Sequence, residues 1–125
     1  GPRIAPSSPC SCVVRSGLVP YRPMGMIAYT VTAELPSTET RRAYLDWLGQ
    51  GHVDDVIRGG ALAGSIVRID DPSEPIRVET RYLFAGRDDL EVYLRDHAPA
   101  LRADGLARFG PETGVRFSRT VGELI

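Results

Sequence analysis

The chain holds two imidazoles, His52 and His97, and each falls late in a helix-patterned stretch. At a helix C-terminus the protonated ring is favoured, and it often does no more than cap carbonyl groups. His52 and Asp55 are three residues apart, a spacing that puts both on one helix face and allows a hydrogen bond. With His97 brought beside them they would form two histidines and a carboxylate, the ligand set of non-haem iron sites. Ligand types alone do not define a metal centre. The histidines are therefore read first as structural groups and second as ligand-facing ones, and no metal is assigned.

The arginines say more. Arg77 and Arg81 flank Glu79 on one strand face, and Arg119 falls where the alternation Val115, Phe117, Val121 calls for an apolar residue. A charge at such a position must be paired or solvated. It would either bridge to a helix carboxylate such as Asp55, Asp96 or Asp104, or hold the carboxylate or phosphate of a ligand through its planar fork. Tyr29 and Tyr82 sit on strand patterns from which a hydroxyl can reach a cavity edge. The candidate ligand-binding set is thus Arg119, Arg81, Tyr82, Tyr29, His52 and His97. Trp47, Tyr44, Tyr93 and Phe109 have helix or junction spacing and are read as core.

Composition removes several chemistries. All 15 basic residues are arginine. Without lysine there is no Schiff-base amine and no P-loop lysine for a nucleotide phosphate. No G-x-S-x-G elbow occurs, and the Gly49, Gly51 pair meets Asp54 where a dinucleotide fingerprint needs glycine. Charge is nearly balanced, 15 basic against 16 acidic groups, so no bulk field draws the chain to nucleic acid or a membrane surface. Cys10 and Cys12 supply two ligands, half of a tetrahedral zinc set. No apolar run reaches membrane-spanning length, and a cytoplasmic protein with reduced thiols is expected.

The elements that must position these residues begin at Met26. Residues 1–25 carry Pro2, Pro6, Pro9, Pro20 and Pro23 and keep no helix or strand period. They are read as an irregular leader upstream of a natural start at Met24 or Met26, and residues 26–125 as one domain. Ile27, Tyr29, Val31 and Ala33 alternate with smaller or polar residues as a strand. Pro36 stops it, and Ser37 or Thr38 caps a helix with Tyr44, Leu45, Trp47 and Leu48 on its apolar stripe. Gly49 and Gly51 weaken that helix before Val53, Val56 and Ile57 resume its spacing, and Gly59-Gly60 ends it. Residues 61–70 and 76–85 form a hairpin about the turn Asp71-Pro72-Ser73-Glu74-Pro75. Asp88 is expected to cap a second helix with Glu91 in a capping box. Pro99 kinks or restarts that helix, and Val115 to Val121 is a last strand.

This order, βαββαβ, is an α+β ferredoxin-like unit: a four-stranded antiparallel sheet with helices on one face. Its second face would carry Thr30, Thr32 and the charged hairpin residues. It either meets water or faces a second copy across a dyad, closing a barrel with a ligand pocket between two sheets.

Trp47, His52, Asp55, Val56 and Gly60, then Tyr82, Tyr93, His97-Ala98-Pro99, Leu101-Arg102, Gly105, Arg108-Phe109 and Ser118-Arg119, resemble a family of small bacterial proteins of unknown function. That family belongs to the dimeric α+β barrel superfamily, related at fold level to the antibiotic-biosynthesis monooxygenases. The resemblance covers Met26 to Ile125 and implies a fold and a dimer but no reaction. The sequence departs from the pattern at Gly51-His52-Val53-Asp54-Asp55, where a proline is expected soon after the histidine.

The leading expectation is a homodimer whose barrel-like cavity holds a small, anionic or aromatic molecule, with no dedicated cofactor. The first alternative is a cofactor-free oxygenase or isomerase of the antibiotic-biosynthesis monooxygenase type, with a tyrosine or histidine as proton acceptor. The second is a protein-interaction module that uses the open sheet face.

Overall fold

A computed structural model describes residues 25–125. Cys10, Cys12, Met24 and the rest of the leader lie outside the described residues. β1 (Ile27–Leu35) leads through Pro36 into α1 (Thr38–Trp47). Ser37 caps α1, its Oγ accepting from the Thr40 backbone N–H at 3.1 Å. A π-type turn (Leu48–His52) and the short α2 (Val53–Arg58) follow, then β2 (Ala63–Arg68) and β3 (Ile76–Phe84). α3 (Arg87–Asp96) and α4 (Ala98–Phe109) precede a 3-10 turn and β4 (Arg116–Glu123).

Two expected local features differ. The first long helix is broken into three parts, because Gly51 takes φ 137° and Gln50 leaves helical geometry. The cap of α3 is the extended residue Gly86 and no side chain caps it, so Asp88 lies inside the first turn. Its carboxylate there still complements the positive end of the helix. Pro99 restarts the chain as expected, in the first turn of α4, where its missing N–H costs no hydrogen bond.

The strands form one antiparallel sheet in the order β2-β3-β1-β4. This is the ferredoxin-like arrangement, with all helices on one face. Register explains the core. Tyr29 pairs with Tyr82 and Val121, Ala33 with Val78 and Phe117, and Val31 with Thr80 and Arg119. These rows all point at the helices, since every second strand residue shares a face. The first row feeds a cluster with Ile27, Phe84, Val56, Leu90 and Tyr93. The second feeds a cluster with Tyr44, Leu48, Phe109 and Val115. Between them runs the row Thr80, Val31, Arg119, whose members are small, or long enough to leave the core.

The opposite face carries Thr30, Thr32, Ser118 and Thr120 with Arg81, Glu79, Arg116 and Glu34. Arg81 lies there, against Glu79 at 2.7 Å, and Arg116 reaches Glu34 at 3.6 Å. No helix among the described residues is long and apolar enough to cross a membrane.

Candidate functional site

The gap above the row Thr80, Val31, Arg119 is a cavity of about 200 Å³. Its floor is the helix-facing side of β1, β3 and β4. Its roof comes from α1, the π-type turn, α2, α3 and α4. It is distinct from the pocket that the sequence-based expectation places between the two sheets of a dimer. The cavity lies between the sheet and the helices of one chain, because the central row does not fill the space its neighbours leave.

Tyrosines dominate the wall. Tyr29 and Tyr82 stack with centroids 6.2 Å apart, and Tyr93 meets Tyr29 edge-on at the same distance. Tyr44, on the other side, contacts Phe117 at 5.9 Å and Trp47 at 5.9 Å. The Tyr82 hydroxyl is buried and has no hydrogen-bond partner among the described residues. Burial pushes its ionisation well above the ordinary tyrosine range. The nearby Thr80 hydroxyl eases that rise without reaching a bonding position, and instead donates to the Val31 carbonyl at 3.4 Å. Burial likewise raises Tyr93 and pushes Tyr44 up to about 12, with Arg119 pulling both back.

His52 closes one side. The π-type turn lays its ring on Trp47, centroids 4.1 Å apart. Burial lowers its pKa from 6.5, against the pull of Asp55 and Asp104, so the ring is neutral at pH 7. Asp55 itself is bonded to Arg58, and Asp104 to Arg108 at 3.4 Å.

Two guanidinium groups stand at the exposed side, one on α4 and one on the edge strand. Arg102 Nη2 donates to the Tyr29 hydroxyl at 3.1 Å. Arg119 lies over the Phe117 ring at 6.0 Å. Neither has a carboxylate partner among the described residues. The ion pair considered for Arg119 is absent: Asp55 and Asp104 are held by arginines of their own helices, and Asp96 by Arg95 at 2.8 Å.

Of the six candidates, the structure brings Arg119, Tyr82, Tyr29 and His52 around one cavity and leaves two outside it. Arg81 is on the opposite sheet face. His97 joins α3 to α4, exposed, with its ring stacked on Tyr93 at 6.4 Å. Trp47, Tyr44 and Tyr93, read as core, line the cavity as well as packing the clusters. Arg102 was missed as a site residue. Its helical spacing places it among solvated positions, and only the approach of α4 to β1 gives it a partner.

An antiparallel βαββαβ sheet with an aromatic cavity beneath its helices defines a ferredoxin-like α+β protein. The chain belongs to the family described as Domain of unknown function (DUF4286), which matches residues 26–123. No curated protein matches it. A dimeric ferredoxin-like protein from an uncultured marine organism superposes with a TM-score of 0.61 at 18% identity, over 80% of this chain and 95% of that one. An ethyl tert-butyl ether D (EthD) family protein from Bacillus halodurans C-125 gives 0.64 at 16%, over 80% and 99%. A proposed antibiotic biosynthesis monooxygenase from Nitrosomonas europaea gives 0.56 at 17%, over 82% and 93%. At these identities the likeness concerns the fold.

Proposed function

We propose that the protein is a homodimer holding a small, anionic or aromatic molecule in the cavity between its sheet and its helices, with no dedicated cofactor. The observation that carries this reading is the Tyr82 hydroxyl, buried and unpartnered on the wall of an aromatic cavity. An orphaned buried donor is costly, and a bound polar atom would satisfy it. The dimer is supported by the uncovered sheet face of threonines and serine beside self-paired charges, and by the likeness to dimeric ferredoxin-like proteins. Residues 26–125 form the folding unit in this reading, since every element among the described residues lies between Ile27 and Glu123.

Light scattering on the purified chain should give twice the monomer mass, and mass spectrometry under native conditions should find a retained small molecule. A monomer would favour the alternative use of the sheet face as a docking surface for another protein. A chain starting at Met26 should fold with the same melting temperature as the full one.

A second reading is supported by His52. A neutral imidazole on the cavity wall can accept a proton, as a cofactor-free oxygenase or isomerase of the antibiotic-biosynthesis monooxygenase type requires. Oxygen uptake or isomerisation of one-ring phenols, lost in His52→Gln, would support it; neither uptake nor an isomerised product with any of them would remove it.

A further inference from the structure

We infer that the cavity is selective for a one-ring aromatic carboxylate, its carboxylate held at the mouth by Arg102 and Arg119 and a polar ring substituent facing Tyr82. This rests on the proposed ligand-binding role of the cavity and narrows its ligand class.

Size sets the first limit. An apolar cavity of about 150 Å³ holds benzene, and a water occupies about 30 Å³ of liquid. A space of about 200 Å³ therefore takes one ring with a small group at one or both ends. The walls suit a ring, because Tyr29, Tyr82, Tyr93 and the Trp47–His52 pair present aromatic faces and edges.

Charge sets the second. Arg102 and Arg119 come from different elements, yet both line the same cavity, and both favour ionisation of the Tyr93 hydroxyl. Neither is neutralised by a carboxylate among the described residues, while Arg58, Arg95 and Arg108 each are. Asp55 and Asp104 are each engaged by an arginine of their own helix, Arg58 and Arg108. Planar guanidinium forks match a planar carboxylate. A bound carboxylate would also be an acceptor for the Arg102 group that now donates to Tyr29.

The third limit is the far end. Tyr82 pairs across β1 with Val121, one row from Arg119, and its hydroxyl is fully enclosed. A substituent that bonds it must therefore lie inside the cavity, whereas the arginines are exposed. A ring with its acid at one end and a hydroxyl at the other meets both conditions.

The test uses the full chain with phenol, benzoate and 4-hydroxybenzoate as probes, followed by calorimetry and by quenching of Trp47, the single tryptophan. Affinity should rise from phenol to benzoate to 4-hydroxybenzoate. Arg102→Gln and Arg119→Gln should each weaken both acids roughly tenfold or more, the scale of a lost charged hydrogen bond, and leave phenol unchanged. Tyr82→Phe should weaken 4-hydroxybenzoate selectively, bringing it to the level of benzoate. If phenol binds as well as the acids and the arginine variants change nothing, the carboxylate clamp is wrong while the cavity reading stands. If no probe binds or quenches Trp47 in the wild-type protein, both fall.

Discussion

The Trp47 indole and the His52 imidazole lie nearly parallel, ring centroids 4.1 Å apart and planes inclined by 24°. Residues five apart on a regular α-helix point about 140° away from each other, so no unbroken helix could stack them. The π-type turn and the positive φ of Gly51 bring His52 back over Trp47. The same turn places both rings on the cavity wall.

Gly51 should therefore resist substitution although there is open space around it. A Cβ there meets nothing within 4 Å, so the cost of Gly51→Ala is conformational alone. It should be about 1–3 kcal/mol. Gly49, two residues earlier, also has open space and no positive φ. Gly49→Ala should stabilise by up to about 1 kcal/mol, the helix propensity difference. Urea melts of the two variants decide it, and equal effects would show that the turn is not held by Gly51.

Stability should fall on mild acidification through His52. Burial sets its folded pKa below 6.5, so between that depressed value and 6.5 the unfolded chain binds the extra proton. The contribution is complete above pH 6.5, is lost as pH drops through the window, and levels off below the folded pKa. The slope should be shallower in His52→Gln by the share of one titrating group. Identical pH profiles for the two proteins would place His52 in solvent.

Tyr44 acts at the alkaline end with the opposite sign. Its pKa rises from 10.0 to about 12 by burial. Stability linked to it is present below pH 10 and is lost as pH climbs through 10 toward 12. Phenolate absorbance should show Tyr44 ionising late, and later still in Arg119→Met, because that arginine lowers its pKa. An unchanged titration in the variant would separate the two residues.

Tyr82→Phe should stabilise the unliganded protein. The hydroxyl is buried without a partner, and an unsatisfied group of this kind costs about 1–3 kcal/mol. A raised melting temperature is expected. A fall would mean that the Thr80 hydroxyl does bond it in solution.

Arg119→Ala should cost less than about 1 kcal/mol, the scale of an exposed cation–π contact. A loss of several kcal/mol would indicate a buried ion pair, the role that its strand position alone suggests.

The order of elements, the strand alternation and the breaks at Pro36, Gly59-Gly60 and Pro99 were legible in the sequence, because period and backbone restriction are local properties. Tyr29, Tyr82 and Arg119 stood out for the same reason, since alternation marks which face of a strand each must share. Local signals could not say what filled that face. Arg119 had helix carboxylates within plausible reach, and only packing showed each of them bonded to an arginine of its own helix. The break at Gly51 was foreshadowed by the glycines, but its consequence, a histidine turned onto Trp47, depends on which backbone torsions the packed helices accept. The cavity itself belongs to tertiary structure. It exists because cross-strand register aligns Thr80, Val31 and Arg119 between the row Tyr82, Tyr29, Val121 and the row Val78, Ala33, Phe117, and that alignment joins residues up to 88 positions apart.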